Sequence, residues 1–192
     1  MKRLIYLSFL TVVLAGIVHI LIIFLIPSFA ADDAWSKLAD AAEPWEFSVV
    51  SEPGSQESFL PLVDPAFGTA ACRYDLDEAP VRVSATGRLP FWSVAVFDRK
   101  GRNIYSFNDR SAVEQELSLI VVNPVQIARF RKNPPAGYEE AILVETTSSQ
   151  GFVLIRALQE SQSWASIVMK FLSDAKCEAF LPSNPPPPVP AE

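Results

Sequence analysis

"PFWSVAVFDRKGRNIYSFNDR", residues Pro90 to Arg110, decides how this chain folds. Two runs rich in β-branched and aromatic residues, FWSVAVF and NIYSF, flank the polar segment DRKG. Asp98 suits the start of a turn and Gly101 can take positive φ at its end, so the stretch predicts a β-hairpin. In the first run Trp92, Val94 and Val96 share one face, and Ala95 and Phe97 join Ser93 on the other. A strand apolar on both faces belongs inside a sheet, covered on both sides.

Working outward, "ACRYDL" and "VRVSAT" precede the hairpin and "LSLIVV" follows it, each short and bounded by turn residues, as antiparallel strands are. Asn123 is placed to cap a short helix with Pro124 at its first position, ending near Arg131 ahead of "NPPAG". "AILVE" and "GFVLIRAL", joined through "TTSSQ", read as a second hairpin. Ser163 is read as the cap of "WASIVMKFLSDAKC", where Trp164, Ile167, Val168, Phe171 and Leu172 recur at helical spacing and should lie on the sheet. The predicted class is α+β: one N-terminal transmembrane helix, then a single domain with a mainly antiparallel sheet of about six to seven strands and two to three short helices.

The organisation follows from composition. Residues 1–30 form a membrane anchor or signal, 31–69 a short helix and irregular lead-in, 70–181 the α+β domain, and 182–192 a Pro-rich tail expected to be disordered. From Leu4 to Ile26 no residue is charged, which as helix spans about 34 Å, enough for a hydrocarbon layer of about 30 Å. Lys2 and Arg3 precede the block and Asp32 and Asp33 follow it, so the positive-inside bias predicts a cytoplasmic N-terminus and a periplasmic domain in the bacterial inner membrane. A signal cleaved within "PSFAADD" is the competing reading; the length of the apolar block favours retention. Ser8, Thr11, Ala15 and His19 fall on one side of the span and form a small, polar stripe for helix–helix contact.

Sixteen cations against 22 anions give −6, and without Lys2 and Arg3 the exported part stands at −8. Nucleic acid is therefore not an expected partner; the membrane and another envelope protein are. The two cysteines, Cys72 and Cys177, lie near opposite ends of the domain. An even count in an oxidising compartment predicts a bridge, with two buried thiols as the alternative if their Cα atoms stand too far apart.

The only histidine, His19, lies in the span, which excludes Ser-His-Asp and Cys-His sites from the domain. No CxxC, HExxH or phosphate-cradling glycine loop occurs, so neither metal nor cofactor is expected. What remains is guanidinium, carboxylate, amide and phenol chemistry. It concentrates around the first hairpin, where Arg99, Arg102, Tyr105, Asn108, Asp109 and Arg110 form a candidate ligand site able to hold a carboxylate or phosphate in forked hydrogen bonds. Arg73 and Asp75 alternate around Tyr74 and predict a cross-strand ion pair. Nothing in the spacing of Asp75, Asp77 and Glu78 fixes a catalytic carboxylate pair.

"DPAFGTAACRYDL", the hairpin itself and "SWASIVMKFLSDAKC", behind a single N-terminal anchor, carry a resemblance covering most of residues 1–178. The chain resembles a family of small, uncharacterised, integral membrane proteins of α-proteobacteria. That family is similar to the first module of a larger two-module exported bacterial family of unknown function. The resemblance implies an envelope location and a partner module, and it carries over no catalytic residues. The expectation is a non-catalytic interaction module of an envelope complex. The alternative is a small-ligand binder or enzyme using the Arg, Asp, Asn and Tyr groups at 98–110, and a basic hairpin facing anionic lipid is a third reading.

Overall fold

The computed structural model describes residues 2–180 other than 56, 57, 59, 61–63, 113, 114 and 136–140, and side chains outside 27–34. The tail expected over 182–192 lies outside the described residues. Among the described residues, three α-helices and nine strands follow in the order α1 (Lys2–Ala41), β1 (Phe47–Ser51), β2 (Phe67–Asp75), β3 (Val81–Ala85), β4 (Trp92–Asp98), β5 (Asn103–Asn108), β6 (Leu117–Val122), α2 (Pro124–Lys132), β7 (Ile142–Glu145), β8 (Gln150–Leu158), α3 (Ala165–Asp174) and β9 (Lys176–Ala179). The fold is α+β with mainly antiparallel pairing, as predicted, but its strands form two sheets rather than one. The larger has the order β1-β2-β8-β4-β5 and the smaller β7-β6-β3-β9.

The alternation of side chains explains why two sheets form. Ala70, Cys72 and Tyr74 of β2, Trp92, Val94 and Val96 of β4, and Val153, Ile155 and Ala157 of β8 all point to one face of the larger sheet. Val81 and Val83 of β3 with Leu117, Leu119 and Val121 of β6 answer from the smaller, closing one shared core. Each fully buried Val, Leu or Ile contributes roughly 1.5–3 kcal/mol here, so this interface dominates the stability. The opposite face of the larger sheet carries Ala71 and Phe152, covered by Leu38 and Ala42 from the end of α1. Ile120 and Val122 on the outer face of the smaller sheet are covered by Ile127 and Phe130 of α2.

The first hairpin is present: β4 and β5 pair antiparallel, with one irregularity between Val96 and Phe97 that leaves Ile104 as the extra residue. β4 is an interior strand, hydrogen-bonded to β5 and β8, while β8 between β2 and β4 is the central one. The second predicted hairpin is absent. β7 pairs parallel with β6 in the smaller sheet, and β8 joins the larger one. A parallel pair needs a crossover, and α2 supplies it. Its start is as the sequence predicts: Asn123 Oδ1 accepts from the amides of Val125 and Gln126, and Gln126 Oε1 accepts from the Asn123 amide.

Two predicted helix ends differ. A 3-10 turn, Gln162–Trp164, precedes α3, and Ser163 bonds Ser161 rather than capping the helix. α3 stops at Asp174, and Cys177 lies on β9, beside Val83 of β3, instead of at a helix end. α3 buries Val168, Phe171 and Leu172 in the shared core. Gly68 makes room for it, since a Cβ there would meet Val168 Cγ1 at 2.8 Å and Leu172 Cδ1 at 2.9 Å. The anchor and the short helix expected after it are one element, α1, which runs through Pro27 from Lys2 to Ala41. Its segment Lys2–Ile26 is long and apolar enough to cross a membrane, and none of it is buried by the rest of the chain.

Candidate functional site

At the end of the larger sheet where β2 and β4 finish, three structures meet: the β4–β5 turn, the turn after β2, and the end of α1. Asp98 organises the first. It is almost fully buried, and its carboxylate accepts from the amides of Lys100 and Arg102, each at 2.9 Å, and from Arg102 Nε at 2.7 Å. Gly101 takes φ +71°, as the turn requires, and its amide bonds the Asp98 carbonyl at 2.9 Å. Burial pushes the Asp98 carboxyl upward, but the amide and guanidinium of Arg102 and the amide of Lys100 outweigh it and hold the group below its ordinary value.

Arg99 leaves the same turn and reaches Gln150: its amide bonds the Gln150 carbonyl at 3.0 Å and Nη1 bonds Oε1 at 3.2 Å. Gln150 Nε2 in turn donates to Asp75 Oδ2 at 2.8 Å, linking the β4–β5 turn to the one after β2. Neither Arg73 nor Asp75 makes the expected cross-strand ion pair among the described residues. Arg73 Nε and Nη2 instead bond the Ala42 carbonyl at 3.0 and 2.7 Å. The guanidinium groups of Arg73 and Arg99 both lie 5.9 Å from the Trp35 ring centroid. Arg73, expected in a cross-strand ion pair, and Arg99, one of the candidate anion ligands, are therefore both engaged in holding α1 and the turns together.

The six predicted ligand residues do not converge. Arg99 and Arg102 sit at the turn, whereas Asn108, Asp109 and Arg110 lie at the other end of β5, about 17 Å away at strand rise. Asn108 Oδ1 caps its own turn, accepting from the Arg110 amide at 3.1 Å. Asp109 is 6% exposed, and its Oδ1 has no hydrogen-bond partner among the described residues. Tyr105, midway, is 41% exposed.

What β5 does offer is an edge. Among the described residues it pairs with β4 alone, and the Asp109 amide bonds the Trp92 carbonyl at 3.2 Å. That bond fixes the phase of the ladder: Phe107 opposite Val94 and Tyr105 opposite Val96 turn their main-chain groups toward β4. The amide and carbonyl of Ser106 therefore point outward, as does the Asn108 amide. No charged residue or proline occurs from Asn103 to Asn108, the usual guards of an open edge.

A concavity of about 520 Å³ lies apart from this edge, between the turn after β2 and α2. Leu76, Ala79, Pro80 and Phe130 are its buried apolar lining; Asp77 and Glu78 stand on one wall and Arg129 on the other. The Leu76 carbonyl is held by Asn123 Nδ2 at 3.3 Å and Gln126 Nε2 at 2.7 Å, which ties the two walls together. In the sequence Asp77 and Glu78 suggest at most catalytic carboxylates, and nothing local to "ARFRKN" joins Arg129 to a turn some fifty residues earlier.

Cys72 of β2 and Cys177 of β9 form a disulfide with Cα atoms 6.4 Å apart, one cysteine from each sheet. Such a bond agrees with an oxidising compartment. In the span, Ser8, Thr11, Ala15 and His19 are all exposed, and the Thr11 hydroxyl donates to the Leu7 carbonyl at 2.9 Å within its own helix.

No family model and no curated protein matches the chain. Among solved structures it is similar to the VPA0106 protein from Vibrio parahaemolyticus, with a TM-score of 0.57 and 13% identity, over 86% of this chain and 41% of that one. It is also similar to an uncharacterized protein from Burkholderia cenocepacia, with a TM-score of 0.47 and 14% identity, over 82% of this chain and 43% of that one. The chain thus spans less than half the length of these bacterial neighbours. At such identity the Vibrio likeness shows the fold alone.

Proposed function

We propose that this chain is a non-catalytic interaction module, anchored in the bacterial inner membrane by residues 2–26 with its domain in the periplasm, which accepts a strand from another envelope protein or partner module along the outer edge of β5. The carrying observation is that edge: Ser106 turns both main-chain groups outward in a strand without charge or proline. The other edges are poorer. β1 has a register shift between Val49 and Ser51, β7 and β9 have four residues each, and β9 alternates charged Lys176 and Glu178 into its row. The irregularity of β5 lies at its start, leaving Tyr105–Asn108 in regular register. Main-chain pairing there gives affinity, and exposed Tyr105 adds an aromatic contact beside it.

Length supports the same reading. In the Vibrio neighbour the shared fold takes up 41% of the chain, so there it stands beside further sequence. The sequence resemblance to the first module of a larger two-module exported family points the same way. The Lys2 and Arg3 pair ahead of the span, and the disulfide, support a periplasmic domain.

A photo-crosslinking residue at position 105, expressed in cells with the full chain, tests the edge. One discrete adduct is expected, and Ser106→Pro, which removes an outward amide without breaking the β4 ladder, should abolish it while leaving the melting temperature within a few degrees. An adduct that survives Ser106→Pro, or no adduct at all, overturns the proposal. A reporter fused after Glu192 and active only in the cytosol would overturn the orientation.

A further inference from the structure

The geometry of the cleft between the β2–β3 turn and α2 points to a second binding site, independent of the β5 edge, and we propose that it takes a small zwitterion, an amino acid or dipeptide with an apolar side chain. The ammonium group would lie at Asp77 and Glu78, the carboxylate at Arg129, and the apolar body against Phe130 and Pro80. Three observations lead to this class of ligand.

First, Asp77, Glu78 and Arg129 line one concavity from opposite walls, and none of them has an ion-pair partner among the described residues. Opposite charges that face a shared space without closing on each other fit a ligand that presents both signs. Phosphates and nucleotides are disfavoured, because two carboxylates would repel them. A purely apolar ligand would use the Phe130 and Pro80 wall but make nothing of the two opposed charged walls.

Second, the space suits a small molecule. About 520 Å³ lies within the usual range for ligand pockets of roughly 300–1,000 Å³, and the buried Phe130 and Pro80 give it an apolar wall. Third, the walls are fixed before any ligand arrives. Asn123 and Gln126 cap α2 and at the same time hold the Leu76 carbonyl, so the spacing between the acidic turn and Arg129 is set by buried or half-buried hydrogen bonds rather than by loop motion.

The test is calorimetric titration of the full chain in detergent micelles with alanyl-phenylalanine and with phenylalanine, each compared with its N-acetylated and its C-amidated form. At least one free zwitterion should bind, and blocking either end should weaken it by about tenfold, the scale of one charge-assisted hydrogen bond at a half-open site. Arg129→Gln should remove the penalty for amidation only, and the double variant Asp77→Asn, Glu78→Gln the penalty for acetylation only. All three residues are exposed, so the variants should retain the wild-type melting temperature. Equal binding of free and blocked compounds, no binding of either zwitterion, or a variant that fails to erase its matching penalty each overturns the assignment. None of these results depends on crosslinking at Tyr105, so this site and the β5 edge stand or fall separately.

Discussion

The Arg73 guanidinium closes on the Ala42 carbonyl with two bonds, Nε at 3.0 Å and Nη2 at 2.7 Å, and so terminates the helix that carries the membrane span. A helix end leaves its last carbonyls without partners, and a forked donor one residue past Ala41 satisfies one of them. Because Arg73 is in β2, paired to β1 and β8, this contact ties the anchor to the body of the larger sheet. Arg73→Met, which keeps the aliphatic packing and removes the donors, should cost roughly 1.5–3 kcal/mol in denaturant unfolding, with Arg73→Lys recovering only part because it lacks the fork. An unchanged midpoint for Arg73→Met would show that the helix end is held by Leu38 and Ala42 packing alone.

Asp98 should make stability fall in acid. Its carboxyl sits below its ordinary value in the folded chain, so the folded state binds fewer protons than the unfolded one around that range. Its contribution is complete above the unfolded value of about 3.9 and is lost as pH drops from there through the folded value. Asp98→Asn keeps the shape but turns an amide toward Arg102 Nε, a donor facing a donor. The variant should be less stable than the wild type by roughly 1–3 kcal/mol at pH 7, and the gap should narrow steadily as pH falls below about 3.9, read from urea midpoints across an acid series. A gap that stays constant down to the lowest pH at which both proteins fold would locate the effect in packing rather than charge.

Why some elements are legible in the sequence and others are not follows from where their partners lie. The β4–β5 hairpin is local: Asp98, Gly101 and two alternating runs state it within twenty-one residues. The α2 start is local too, in Asn123, Pro124 and Gln126. β7 and β8 are strongly apolar strands that fit any sheet, and their assignment to different sheets depends on β6 and β2, which the "TTSSQ" connection does not reveal. β9 is four residues with Lys176 and Glu178 alternating, too short and polar to stand out beside α3. Arg73 bonds a main-chain carbonyl thirty-one positions earlier, a partner that charge alternation on a strand, which favours cross-strand ion pairs, does not reveal. The residue types of the hairpin site are legible, but a six-residue strand separates Arg102 from Asp109, and a strand that long cannot bring them together.

The disulfide closes a separation of 105 residues between the two sheets. In the chain-entropy account a loop of about that size restricts the unfolded ensemble by roughly 4–5 kcal/mol. Both cysteines are buried, and Cys72→Ala with Cys177→Ser should lower stability by about 2–5 kcal/mol without preventing sheet pairing. Thiol labelling of denatured protein should give two additional labels only after reduction; equal labelling with and without reduction would rule out the bond in cells.

Among the glycines Gly16, Gly54, Gly68, Gly87 and Gly151, Gly151 has the least room for a side chain, and its replacement separates two causes of instability. A Cβ at this position would run into the Phe97 carbonyl and the Tyr74 hydroxyl. Those two groups are themselves bonded, Tyr74 Oη donating to the Phe97 carbonyl at 3.1 Å, while burial, with the Asp98 charge second, raises the phenol well above its ordinary value and keeps it protonated. Gly151→Ala should therefore cost about 1–3 kcal/mol or more through overpacking between β4 and β8. If the ring were the only obstacle, adding Tyr74→Phe would restore most of the loss. The Phe97 carbonyl is main chain and cannot give way without opening the Phe97–Phe152 and Asp98–Gly151 pairings. The double variant should accordingly remain as unstable as Gly151→Ala or become worse, since Tyr74→Phe also removes the hydrogen bond to that carbonyl. Recovery in the double variant would show that β4 and β8 can separate locally, and that the buried tyrosine, not the ladder, sets the geometry at this end of the sheet.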